Sequence, residues 1–103
     1  NKRNKGDSIN YQVITRVKDE KQVMEPYFAH MVKNLTKKLK IIVKAPENLL
    51  RDVKTTMYAD LEMKTKIKES NIQGNLMDNY VEFVYEISDA NVNYTYAIEW
   101  NFE

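Results

Sequence analysis

From residue 92 to 102 the chain reads Val-Asn-Tyr-Thr-Tyr-Ala-Ile-Glu-Trp-Asn-Phe, with every even position apolar or aromatic and almost every odd one polar. A repeat of two belongs to a β-strand, whose successive side chains point to opposite faces, so this segment is a strand with one buried face. Val81, Phe83, Tyr85 and Ile87 carry the same repeat just upstream, and residues 88–91 supply the turn chemistry of a tight connection. Pairing Ile87 with Val92 then sets Tyr85 opposite Tyr94, Phe83 opposite Tyr96 and Val81 opposite Ile98, each such pair adding about 0.2–1 kcal/mol. A third strand is expected where Met57, Ala59, Leu61, Met63 and Ile67 alternate with Tyr58, Asp60, Glu62, Lys64, Lys66 and Lys68, followed by a turn at residues 71–75. The expected C-terminal part is an antiparallel meander, with Trp100 buried and the last strand offering an edge for self-association.

The N-terminal half reads differently. Residues 1–7 are polar and basic and are expected to be a flexible leader, leaving 8–103 as a single domain. Residues 9–17 are rich in β-branched side chains, which favours a strand, yet Ile9, Val13 and Val17 also sit four apart after Ser8, so a helix stays open. Met24, Tyr27, Phe28, Met31, Val32, Leu35 and Leu39 recur at intervals of three and four, predicting a long amphipathic helix that starts near Pro26. Asp19 and Gln22 have capping-box spacing for a short turn before it. A strand is read in residues 38–44, and a short helix after Pro46 gathers Leu49, Leu50, Val53 and Met57 on one face.

The expected fold class is therefore α+β: a curved antiparallel sheet of four or five strands with the long helix packed on one face. That element order resembles the cystatin-like and NTF2-like small folds. The resemblance is one of topology, since the Gln-x-Val-x-Gly hairpin of the cystatin inhibitors is matched neither at Gln12-Val13-Ile14-Thr15-Arg16 nor at Gln73-Gly74. It implies a binding module of the kind found in bacterial lipoproteins and conjugation machines, and it implies no protease inhibition.

The chemistry of the chain points away from catalysis. Without cysteine there is neither a disulfide framework nor a thiolate metal site, and the one histidine, His30, has no histidine or cysteine partner for a four-ligand centre. Two glycines rule out a Gly-rich phosphate loop, and no serine stands in a nucleophile elbow. Asp60 with Glu62 and Glu82 with Glu86 fall on solvent faces, where no cleft separates their pKa values. No metal, cofactor or catalytic residue is assigned. Asn34-Leu35-Thr36 and Asn93-Tyr94-Thr95 match the N-glycosylation pattern.

Charge is the remaining signal. Residues 1–44 hold 11 basic and 4 acidic side chains, net +7, whereas residues 45–103 hold 5 and 11, net −6. The two halves either attract each other within one domain or make a dipole that steers a partner. Lys33, Lys37, Lys38, Lys40 and Lys44 form a basic stripe near His30, and Tyr58 and Tyr80 are expected to make an exposed aromatic patch. These seven residues are the candidate partner-binding set. The expected function is a non-enzymatic protein-binding module of the cell envelope, held there through an anchor preceding Asn1, with another protein or a second copy as partner. The alternative is a small cytosolic nucleic-acid-binding or regulatory protein that uses the lysine stripe.

Overall fold

A computed structural model describes residues 9–17 and 26–102 of the chain. The expected leader at 1–7 and the expected turn at 19–24 lie outside these residues. All eight elements are strands: β1 (Ile9–Arg16), β2 (Tyr27–Met31), β3 (Thr36–Ala45), β4 (Leu50–Tyr58), β5 (Lys66–Asn71), β6 (Asn75–Leu76), β7 (Val81–Ala90) and β8 (Thr95–Phe102). They form two four-stranded sheets, in the orders β1-β3-β7-β6 and β2-β8-β4-β5. The fold is all-β, and the α+β expectation with its cystatin-like and NTF2-like element order is overturned, because no helix occurs among the described residues.

The long helix fails because a four-residue step is also two steps of a strand, so Phe28 with Val32 and Met31 with Leu35 fit either period. Val32 and Leu39 do reach the core and Phe28 packs against it, but Met31 and Leu35 are 48% and 56% exposed. Residues 32–35 are instead a connection carrying the chain from one sheet to the other. The short helix after Pro46 fails for a related reason: Leu49, Val53 and Met57 are spaced by four, and all three pack in or against the core, Leu49 from a turn and Val53 and Met57 from the extended β4. Asn48 at φ 68 closes a turn in which the Leu49 amide donates to the Pro46 carbonyl at 3.2 Å. Asn93 at φ 71 closes a matching turn, with the Tyr94 amide on the Asn91 carbonyl at 3.3 Å. Both take the chain between sheets, and asparagine suits them because it tolerates the left-handed region.

The meander is also corrected. β7 and β8 lie in different sheets, so Tyr85 pairs with Ile41, Phe83 with Val43, Val81 with Ala45 and Ile87 with Leu39 on β3. Tyr85 still meets Tyr96, edge to face across the interior, with ring centroids 6.2 Å apart. The strand expected at 57–68 is broken, since β4 ends at Tyr58 and residues 59–65 form a connection to β5. The Asp60 carboxylate holds that connection, accepting from the amides of Lys64 at 2.9 Å and Thr65 at 3.5 Å. Residues 9–17 resolve in favour of the strand, β1, which runs parallel to β3.

The core lies where the inward faces of the two sheets meet. Leu39, Ile41, Val43 and Ala45 of β3 face Tyr96, Ile98 and Trp100 of β8, all of them buried. Each fully buried aliphatic or aromatic side chain contributes about 1.5–3 kcal/mol relative to exposure, so these two strands carry much of the stability. Trp100 is buried as expected, at 3% exposure, but against the opposing sheet and not against a helix. β8 lies between β2 and β4, so it has no free edge, and the expectation of self-association along it falls.

One close approach makes a sharp prediction. A Cβ on Gly74 would stand 2.2 Å from Val81 Cγ1 and 2.9 Å from Phe83 Cε1. Gly74→Ala is expected to lower the unfolding free energy by about 1–3 kcal/mol in urea titration, the cost of overpacking. Adding Val81→Ala makes room, so the double variant should lose less than the sum of the two single ones.

Candidate functional site

Alternation along β3 places Lys38, Lys40 and Lys44 on the outward face of the first sheet, opposite Ser88, Glu86 and Glu82 of β7. Lys40 Nζ lies 3.4 Å from Glu86 Oε2. Lys44 takes another partner: its Nζ stands 5.5 Å from the centroid of the Tyr80 ring, and Arg16 Cζ stands 5.7 Å from the same ring. Both distances fall within the range of a cation–π contact. The parallel register of β1 against β3 sets Arg16 beside Lys44, and the Val17 amide donates to the Lys44 carbonyl at 2.8 Å to hold the pair in place. Among the described residues no carboxylate comes within salt-bridge distance of Arg16 or Lys44.

The structure thus divides the seven candidate residues. Lys38, Lys40, Lys44 and Tyr80 share one face, and Arg16 joins them. Lys33 and Lys37 lie at one end of the sandwich, beside exposed Leu35 and Val92. Tyr58 belongs to the other sheet and is only 7% exposed, so the expected exposed pair of Tyr58 with Tyr80 does not exist. Arg16 was missed in the sequence because its neighbourhood depends on a parallel pairing. The signal was the outward alternation of Asn10, Gln12, Ile14 and Arg16, which no local rule aligns with the lysines of β3.

Tyr58 takes part in a hydrogen-bonded cluster on the outward face of the second sheet. Its hydroxyl and that of Thr56 both donate to the Glu99 carboxylate, Thr56 at 2.9 Å. Burial first, and then the Glu99 carboxylate that accepts its proton, push the Tyr58 phenol well above its ordinary range. Beside it, Lys66 at 2.6 Å and Lys54 at 3.3 Å hold Glu69, the Lys66 contact being the larger cause of its lowered pKa. The Thr95 hydroxyl donates to the Asp60 carbonyl at 2.9 Å, tying the 59–65 connection over this face. As a result Thr56, Thr95 and Ala97, although outward, are wholly buried. These groups satisfy one another and fasten a loop. Thr36 and Thr95, the hydroxyl residues of the two glycosylation patterns, are likewise buried, with Thr36 donating to the Asn34 carbonyl at 2.8 Å.

His30, expected as an ordinary surface or boundary histidine, is partly buried. It faces inward from β2, its ring 5.4 Å from that of Tyr11, and desolvation holds its pKa below the usual value of 6.5. No group of three or more histidine or acidic side chains arranged to hold a metal ion occurs among the described residues.

Comparison of the chain with models of protein families, with curated proteins and with solved structures finds no match.

A histidine whose folded pKa is depressed supports the fold in its neutral form, so stability is full above the unfolded value of about 6.5 and is lost as pH falls through the folded one. The melting temperature should therefore drop between about pH 7 and about pH 5, and His30→Gln should flatten that slope. Tyr58→Phe removes a donor from the Glu99 carboxylate and should cost about 1–3 kcal/mol in chemical denaturation. Tyr80→Phe keeps the ring within reach of both cations and should stay within about 0.5 kcal/mol of wild type.

Proposed function

We propose that the chain is a non-enzymatic protein-recognition domain that meets its partner with the outward face of the first sheet, where Arg16, Lys44 and Tyr80 converge. The observation that carries this reading is the Tyr80 ring with a guanidinium 5.7 Å and an ammonium 5.5 Å from its centroid. Two like charges stand over one aromatic ring with no carboxylate among the described residues within salt-bridge distance of either, and a carboxylate-bearing partner relieves that repulsion on binding. Tyrosine and arginine are also the residue types in which interface binding energy concentrates. A shallow groove beside them, lined by Arg16, Lys44, Pro46, Asn79 and Tyr80, gives an acidic side chain somewhere to enter. Nucleic acid suits this face less well. Lys40 is paired with Glu86 and Lys44 stands opposite Glu82, so a run of phosphates would meet alternating signs along β3 and β7.

The test compares the immobilised wild-type domain with an Arg16→Glu, Lys44→Glu variant whose fold is verified by circular dichroism. Both are exposed to extract of the cells that make the protein. A specific protein is expected on the wild type, binding the variant at least about tenfold more weakly and losing affinity with added salt. Equal recovery on both, or retention of nucleic acid alone, overturns the proposal.

A further inference from the structure

β7 is ten residues long, but only one of its edges is fully used. Along one side it pairs with β3 over nearly its whole length. On the other, β6 pairs with Val81 and Glu82 alone, so among the described residues 83–90 show an unpaired row of backbone groups. A groove runs beside this row, between the two sheets. Tyr85, Ile87 and Ser88 of β7 form one wall, and Met57 of β4 with Lys68 and Ser70 of β5 the other. Tyr85, Ile87 and Met57 pack against the core yet are only partly buried, so a further strand here gains apolar area as well as backbone hydrogen bonds.

The charges along the edge select among occupants. Over its free stretch, residues 83–90, β7 carries Glu86 and Asp89 and no lysine, arginine or proline. A second β7 laid alongside would bring like charges together, which disfavours self-pairing through this edge. On its paired side, β7 already accepts a strand of defined pattern. β3 sets Lys40 and Lys44 against Glu86 and Glu82 on the outward face and Leu39, Ile41 and Val43 on the inward face. Side chains of β7 keep the same faces toward either edge, so over residues 83–90 the free edge selects the same chemistry, a cation opposite Glu86 and apolar side chains opposite Tyr85 and Ile87. Lys68 on the far wall disfavours a cation at the inward positions.

We propose that the free edge of β7 is a second docking site, which takes an extended segment of a partner protein with apolar side chains inward and lysine or arginine outward. It goes beyond the outward-face reading and uses a different part of the same sheet.

The probe is a ten-residue peptide with the sequence of Thr36–Ala45, added to the full chain labelled with nitrogen-15. Binding is expected to protect alternate amides of residues 83–88 from exchange while β3 keeps its own protection. A peptide with its lysines replaced by glutamate should bind at least about tenfold more weakly. N-methylation of one alternate set of peptide amides should abolish binding, because those donors complete the added strand, while methylation of the other set should not. Glu86→Lys should weaken the unmodified peptide, and Arg16→Glu should leave it unchanged, which separates this site from the outward face. The proposal is overturned by absence of binding, by indifference to peptide charge or to both methylation patterns, or by loss of β3 protection through exchange of strands. Concentration-dependent oligomers of the free chain that already protect residues 83–88 would overturn it as well.

Discussion

The stacking of β3 on β8 is the contact on which the rest of the molecule depends. Each is an interior strand, β3 between β1 and β7 and β8 between β2 and β4, so each spends its backbone hydrogen bonds on both sides. Their inward side chains then have one dry place to go, which is against each other. Leu39, Ile41 and Val43 meet Tyr96, Ile98 and Trp100 there. With that layer formed, hairpins alone cannot connect the strands. Only β4 with β5 and β6 with β7 are joined within a sheet, and every other connection crosses between the two. The left-handed Asn48 and Asn93 sit at two of these crossings because the chain must reverse within a few residues and change sheet.

The division of charge along the chain finds its explanation in the same topology. The basic N-terminal half supplies β1 and β3, and the acidic half supplies β6 and β7, which complete the same sheet. Antiparallel register then sets the lysines of β3 against the glutamates of β7, and Lys40 with Glu86 forms an ion pair. Such exposed pairs add little stability, typically below about 1 kcal/mol. They turn a basic stripe into a face of mixed sign, in which, among the described residues, Arg16 and Lys44 have no carboxylate within salt-bridge distance. The two docking surfaces proposed above have opposite charge preference, an arrangement suited to bridging partners or to gripping one partner at two points.

The same residues show where physical reasoning on a sequence succeeds and where it stops. The period of two in residues 92–102 was legible because tyrosine, isoleucine and tryptophan alternate with threonine and glutamate over a long stretch. The burial of Tyr96, Ile98 and Trp100 follows from it. In residues 24–39 the same reasoning yields a helix, because steps of four residues satisfy both periods and the steps of three that favoured a helix fell on Met31 and Leu35, which the structure leaves exposed. Lys38, Lys40 and Lys44 were legible as one face once their segment was read as a strand. Arg16 was not, since its place beside Lys44 requires a parallel pairing across residues 17–43. Position in an alternating run makes Tyr58 a surface aromatic; its hydrogen-bond partner Glu99 lies 41 residues away, beyond the reach of any local pattern.

By itself, the sequence determined which segments alternate, where asparagine, glycine and proline interrupt them, and that no cysteine, histidine or glycine motif for the common chemistries is present. Those properties are local, set by side-chain size, branching and polarity within a few residues. The tertiary structure alone decided which strands pair. Whether β7 turns back on β8 or pairs with β3 changes no local preference; it depends on which arrangement buries both apolar faces at once and leaves the fewest backbone groups unpaired. That choice also created the two surfaces proposed as docking sites, the Arg16–Lys44–Tyr80 cluster and the open edge of β7. Each exists only because strands distant in the chain lie side by side.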